Sequence, residues 1–326
     1  MSKATGETRA GQTRTGAPDM ARVGAARRAM LLVNRNARSG AAALDRALAV
    51  LGAAGIAIEA EQAPADPAAL ADAIAAAAAA GIDTLIVGGG DGTLNAVARP
   101  LADTGLTLGI LPLGTANDFA RTLAIPADVE AAAEVIAAGR VRAVDLGEVN
   151  GVPFFNVATI GFGARLADEL DGAAKARWGV LGYAITACRA LSRMRPFTAE
   201  LAWDGGRQRI RTVQVSVGNG RHYGGGMTVD ENARPDDGLL HVYSLEIRRP
   251  WQLMTLVPAL RRGTHHRSPD VRAFSCTGLE VATRRPKRVN TDGEITTRTP
   301  ARFGVLRDAI RVYAPADGEA AADGAG

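Results

Sequence analysis

The chain is poor in cysteine, in lysine and in aromatic residues, and each shortage closes off a class of protein. Cys188 and Cys276 are the two cysteines in 326 residues, too few for a disulfide framework. No Cys-x-x-Cys pair exists to serve zinc or thiol redox chemistry. Aromatic residues make up 4% of the chain and are not interleaved with basic ones, so no nucleic-acid surface is expected. Long hydrophobic runs are missing too. The longest, Ala73 to Ile82 between Asp72 and Asp83, is mostly alanine and falls far short of the roughly 20 residues a membrane span needs. At the start, Arg27-Arg28 is followed only by Ala-Met-Leu-Leu-Val before Asn34, which is not a secretion signal. The expectation is a cytoplasmic protein. A Gly-x-x-x-x-Gly-Lys phosphate loop and an exact Gly-x-Gly-x-x-Gly dinucleotide fingerprint are both absent from the sequence. The 38 glycines follow no Gly-X-Y period, which excludes collagen.

What remains is a globular composition, 47% apolar and 22% charged, long enough for two cores. The basic excess sits in one place. Lys3, Arg9, Arg14, Arg22, Arg27 and Arg28 against Glu7 and Asp19 give residues 1–28 a net charge of +4, the net charge of the whole chain. The body is therefore neutral. Residues 1–28 lack any apolar period and read as a disordered basic tail, and residues 315–326 as a second disordered tail.

From Ala29 the pattern alternates. Short apolar runs at Ala29–Asn34, Gly55–Ala60, Asp83–Val87 and Leu106–Leu111 are separated by helical spacings at Ala41–Ala54, Pro67–Ala80 and Leu94–Leu101, with another helix at Ala127–Ala138. Strands separated by single helices predict a doubly wound, mainly parallel sheet over residues 29–143. Ligands in such sheets bind where strands lead into helices. After the third strand comes Gly88-Gly89-Gly90-Asp91-Gly92-Thr93-Leu94-Asn95, a loop stripped of side chains ahead of a helix N-terminus, a natural seat for phosphate. Asp91 does not favour bare phosphate, so it either holds a metal-bound water or orients the loop. Thr93 either donates its hydroxyl to phosphate or caps the helix. After the fourth strand, Gly114-Thr115 repeats this chemistry, and Asn117 or Asp118 is placed to cap a short helix from Phe119. Two such loops at one sheet edge describe a nucleotide site.

From about Val144 the pattern turns to strands, at Phe154–Ile160, Ala199–Trp203, Arg209–Val217, Leu239–Leu245, Gly278–Thr283 and Ile310–Ala314. An antiparallel β-rich domain is expected over 144–314, with the boundary near 140–146.

Gly89-Gly90-Asp91-Gly92-Thr93 together with Gly109-Ile110-Leu111-Pro112-Leu113-Gly114-Thr115-Ala116-Asn117-Asp118-Phe119 resembles the diacylglycerol kinase catalytic domain. The resemblance is to its bacterial branch of soluble lipid kinases, which act on phosphatidylglycerol- or diacylglycerol-type acceptors. NAD kinases and phosphofructokinases carry runs like the first element, so the second is the discriminating one. Further runs match in the family's order: Asn156–Gly163, Gly218–Met227 leading through Ala233-Arg234-Pro235 to Asp236–Leu240, and Asn290-Thr291-Asp292-Gly293-Glu294. The resemblance implies an NAD-kinase-like first domain, a β-rich second domain, and transfer of the γ-phosphate of ATP to a lipid hydroxyl in the cleft between them. It implies nucleotide contacts at Asn34, Gly88, Gly89, Gly90, Asp91, Gly92, Thr93, Asn95, Gly114 and Thr115. Glu294 is implied as the proton acceptor, with Asp292 an alternative or a metal-organising partner. A structural Mg²⁺ is implied on the Asp237 carboxylate and the carbonyls of Arg234 and Leu239, with Asp145 linked to that network.

Departures from the family pattern are Ala96 where many relatives carry Glu, Glu61 at the place of a nucleotide-contacting Thr, and Asn34-Arg35-Asn36 in place of an Asn-Pro opening. Two amphipathic, Arg-rimmed segments, Lys175–Phe197 and Trp251–Leu260, are candidates for transient peripheral contact with a membrane. The rival readings are a kinase of a soluble acceptor such as NAD, and a nucleotide-binding, membrane-associated regulator without catalysis.

Overall fold

A computed structural model describes residues 27–33, 41–62, 66–164, 195–247 and 249–316. Asn34, most of the 175–197 segment and nearly all of both expected tails lie outside the described residues.

The first half is the expected alternation: β1 (Arg27–Val33), α1 (Ala41–Ala53), β2 (Ile56–Gln62), α2 (Pro67–Ala79), β3 (Thr84–Gly89), α3 (Asp91–Thr104), β4 (Thr107–Pro112), α4 (Asp118–Thr122) and α5 (Val129–Ala138). The strands lie in the order β2-β1-β3-β4, all parallel. Every residue of β3 and β4 is buried, as expected of parallel strands covered by helices on both faces. Local chemistry sets the helix ends. Asp66 accepts the Ala69 N–H ahead of Pro67 in α2, Asp128 accepts the Ala131 N–H ahead of α5, and Gly105 and Gly139 close α3 and α5 in the left-handed region. β1 begins two residues inside the expected tail. Arg27 donates to the Ile136 and Ala137 carbonyls at the end of α5, at 2.6 and 2.8 Å, and Arg28 donates to Glu59 on β2, so both side chains have partners that hold the strand.

The second half contributes β5 (Val141–Val149), β6 (Val152–Phe154), β7 (Val157–Gly161), β8 (Phe197–Trp203), β9 (Gly206–Thr212), β10 (Gln214–Gly218), β11 (His222–Tyr223), β12 (Met227–Thr228), β13 (Leu240–Leu245), α6 (Pro250–Arg262), β14 (Val271–Cys276), β15 (Gly278–Thr283), β16 (Arg288–Thr291), β17 (Glu294–Arg298) and β18 (Ala301–Tyr313). Six of these strands form an antiparallel sheet, β14-β13-β10-β7-β16-β17. Its inner face presents Ile160, Val215, Val217, Val242 and Val289 to Phe154, Leu201, Val281 and Phe303 from the other sheet, and together they make a dry core. α6 covers part of the outer face, where Leu256 and Leu260 pack with Tyr223, Tyr243 and Leu245.

The two halves do not own separate sheets. β18 runs parallel to β4, with Val312 opposite Leu108, and antiparallel to β5 and β15, so one ten-stranded sheet passes from the first half into the second. β5 runs through the boundary expected at 143/144. Among the described residues no helix is long and apolar enough to cross a membrane.

Candidate active site

The carboxyl ends of β3 and β4 face a hairpin, Asn290–Glu294, from the antiparallel sheet. Gly88 and Gly89 close β3, Gly90 is the N-cap residue of α3, and the helix starts at Asp91, three residues ahead of the expected Leu94. Gly92, Thr93 and Asn95 therefore belong to the first turns of a 14-residue helix whose positive dipole end points into the loop. The loop after β4 presses against this turn. A methyl group on Gly114 would run into the Gly90 Cα and the Asn117 Oδ1. Asn117, at φ 50°, brackets Gly114 from both sides: its Oδ1 accepts the Gly114 N–H at 3.0 Å and its Nδ2 donates to the Gly114 carbonyl at 2.9 Å. Asn117 thus builds the loop and does not cap α4. Asp91 takes over there, its Oδ1 accepting the Phe119 N–H at 3.2 Å, which ties the two loops together. Thr93 is buried and Thr115 is exposed at the loop tip.

Asp118 does something its local sequence does not announce. Its carboxylate crosses to the second half and accepts the N–H groups of Gly225 and Gly226 at 2.8 and 3.2 Å. Burial raises its pKa and the neighbouring Asp91 adds to the rise, against the pull of those two donors and of the Arg121 charge. Gly224, Gly225 and Gly226 have φ of 59°, 80° and 108°, which a side chain rarely adopts, so the three-glycine run is the sequence signal for this contact. Thr122 Oγ1 accepts the His222 N–H at 3.1 Å and doubles the clasp.

The hairpin shows a division of labour. Asp292, at φ 49°, turns its carboxylate inward to accept the N–H groups of Phe155, Asn156 and Val157 at 2.7, 3.0 and 3.0 Å. Those three bonds are why the expected strand Phe154–Ile160 breaks into β6 and β7. Burial pushes the Asp292 carboxyl up to about 6, opposed by the three N–H donors and assisted by the nearby Asp91. Glu294, two residues on, is exposed, and its Oε2 lies 3.4 Å from Asn95 Nδ2 on α3. Asp91, Asn95, Asp118, Asp292 and Glu294 therefore converge from both halves of the chain.

The remaining predicted residues form a second cluster. Asp145 on β5 accepts the N–H groups of Gly238 and Asp308, both at 2.8 Å. Asp237 accepts from the backbones of Leu239 and Arg234, at 2.9 and 3.2 Å, and its Oδ2 lies 2.8 Å from His241 Nε2. Burial alone would raise the Asp237 carboxyl, but His241 and the two backbone donors hold it below the usual carboxylate range. Asn219 connects this cluster to the hairpin, donating to the carbonyls of Asp145 and Phe155 at 2.9 and 3.1 Å. Glu61 is exposed on β2.

Comparison with known proteins assigns both halves of the chain to known domain families. Residues 28–149 match the diacylglycerol kinase catalytic domain, and residues 156–314 match the YegS C-terminal NAD kinase beta sandwich-like domain. A probable YegS-like lipid kinase of Pseudomonas aeruginosa PAO1 is 40% identical over 74% of this chain and 79% of its own. A diacylglycerol kinase of Mycobacterium tuberculosis H37Rv is 32% identical over 75% of this chain and 81% of its own. A crystal structure of a candidate diacylglycerol kinase from Bacillus anthracis superposes with a TM-score of 0.75 at 27% identity, covering 89% of this chain and 96% of that one.

Proposed function

The chain belongs to the diacylglycerol kinase catalytic-domain family of ATP-dependent lipid kinases, in its YegS branch, and from that premise we propose how its residues carry out the transfer. The phosphates of ATP sit on the N-terminus of α3 beside Gly92, where a side chain would meet nothing, while Gly88, Gly89, Gly90 and Gly114 let the two loops close up around the helix end and Thr93, Thr115 and Asn95 serve as polar contacts. Asn34, outside the described residues, is assigned to the same nucleotide contact by the family pattern. The lipid hydroxyl enters between α3 and the hairpin and gives its proton to Glu294, whose carboxylate is exposed and held across from Asn95. That placement carries the reading. Asp292, spent on three backbone N–H groups, positions Glu294 and does not itself accept the proton.

Kinases of this family use Mg-ATP, and the metal supplies charge neutralisation at the phosphates. The second cluster also suits a cation. No group of three or more His, Cys, Asp or Glu side chains among the described residues is arranged to hold one, and a cation at Asp237 would draw on carbonyl oxygens and water beside it. Asp237 accepts three hydrogen bonds, and a carboxylate has room for about four. Its remaining capacity, with the carbonyls of Arg234 and Leu239, is a hard-oxygen set fit for Mg²⁺, and Asp145 stiffens the turn that presents it.

The acceptor is presented by a bilayer, and α6 is the face we assign to it. Trp251, Met254 and Val257 are 56%, 68% and 41% exposed at helical spacing, with Arg249, Arg261 and Arg262 exposed at the two ends. An anionic lipid surface complements that stripe. The deciding assay is transfer of labelled γ-phosphate from Mg-ATP to diacylglycerol, phosphatidylglycerol, ceramide or sphingosine in mixed micelles. Label in one lipid lane is expected. Label on NAD, or in no lane from protein that binds ATP, would overturn the lipid assignment.

A further inference from the structure

We propose that Arg121 and Arg221 form a two-guanidinium clamp for the phosphoryl group in transit, one arginine from each side of the cleft. The inference deepens the phosphoryl-transfer reading above and rests on it. The Asn219–Gly226 segment borders the convergence of carboxylates at both of its ends. At one end the Asn219 and Gly220 N–H groups donate to the Asn156 carbonyl at 2.9 and 3.1 Å, and Asn156 is one of the three residues held by Asp292. At the other end Gly225 and Gly226 hold Asp118. Arg221 and His222 lie between. Arg121 lies three residues after Asp118, on the same face of α4, with its Nη1 2.8 Å from where a Gly226 methyl would stand. Thr122, its neighbour, bonds the backbone of His222. Two arginines from distant parts of the sequence thus meet at one seam.

Arg121 helps to offset the Asp118 charge, but its guanidinium and that of Arg221 keep their hydrogen-bond donors for another group. Arg142, Arg234, Arg267 and Arg272 all have carboxylate partners, whereas neither Arg121 nor Arg221 has an ion pair or side-chain hydrogen bond among the described residues. Burial and then the charges of Arg221 and Arg121 push the His222 imidazole down to about 4, so the two guanidinium groups are the cations of this seam at neutral pH. Asp91, Asp118, Asp292 and Glu294 make the surroundings hostile to a polyphosphate unless cations offset them. Lys287, the one lysine among the described residues, does not supply them, because it stacks on the Phe197 ring.

In the transfer, the lipid hydroxyl oxygen bonds to the γ-phosphorus while the bond from phosphorus to the β–γ bridging oxygen breaks. The electron pair leaves on ADP, and the hydroxyl proton passes to Glu294. The charge then resides on three equatorial oxygens, which a pair of guanidinium forks can grip without changing their own protonation.

The test uses the full chain with Arg121→Gln, Arg121→Lys, Arg221→Gln and Arg221→Lys. Calorimetric titration of Mg-ATP and Mg-ADP is expected to show at least about a tenfold loss for ATP and little change for ADP, since ADP lacks the clamped group. kcat on whichever lipid the micelle assay labels should fall by about 10² or more, given that arginines in this role contribute about 10³ to 10⁵. Thermal melts identify any variant that fails to fold, and the lysine variants, which keep the charge, stand in for it. Equal losses for ATP and ADP, or kcat unchanged in folded variants, would overturn the clamp. A wild type that discriminates ATP from ADP but phosphorylates no lipid would instead count against the lipid-kinase reading, with the clamp still judged by the nucleotide ratio.

Discussion

The two sides of the cleft are built from opposite materials. The proposed nucleotide side is mostly backbone: glycines at 88, 89, 90 and 114 let two loops and a helix end pack against one another, and Gly92 leaves open space beside them. The proposed acceptor side brings the carboxylates of Asp292 and Glu294, and there the backbone serves to restrain side chains: three N–H groups hold Asp292, and two hold Asp118, which reaches across from the nucleotide side. The contrast explains why neighbouring acids diverge in role. Asp292 and Glu294 are two residues apart, yet the first is held by three backbone N–H groups and the second stands exposed across from Asn95.

Four changes test that contrast, the largest first. Glu294→Gln should lower kcat by about 10³, within the range for removal of a general base, and leave the thermal melt unchanged. Asp292→Ala should do the reverse in emphasis. It strands three buried N–H donors at about 1 kcal/mol or more each, so urea denaturation should show a loss of about 3 kcal/mol or more, with activity falling as the hairpin loosens. Equal stability of the two variants would erase the distinction drawn between them. Gly114→Ala should cost about 2 kcal/mol, because the methyl group meets backbone that cannot swing aside, and should weaken ATP binding in titration calorimetry. The smallest effect is one of pH. The Asp292 carboxyl at about 6 in the fold lies above its ordinary value of 3.8, so its contribution is full below about pH 4 and is lost as pH rises through 6. The stability margin of the wild type over Asp292→Asn, followed by urea denaturation at several pH values, should therefore narrow from pH 4 to pH 7. A margin that widens would show that the three N–H donors outweigh burial.

The same contrast governs what could be read in advance. The β3 and β4 turns were legible because their chemistry is local: glycines and a helix start within a few residues of one another. The doubly wound order followed from the spacing of buried runs and breakers. Asp118 was not legible, because its partners lie more than 100 residues away and a local reading offers only a helix cap. Asp292 stood as an alternative to Glu294 or a metal-organising partner, since nothing in Asp-Gly-Glu indicates that the first carboxylate faces inward to residues some 136 positions earlier. The strand at the end of the chain was expected, but its place beside β4 was not, because one strand's pattern does not name its partner.

That last strand has a consequence for how the molecule is made. β4 is buried along its whole length, yet one of its edges is completed by Arg311 and Val312, about 200 residues later. During synthesis the nucleotide half emerges first with that edge unpaired and apolar, a template for wrong pairing. It can close only once residues near the end of the chain have left the ribosome, after the intervening antiparallel sheet has been made. A ribosome-bound chain stopped before Ala301 should therefore remain protease-sensitive in its first half, and one extended past β18 should become resistant.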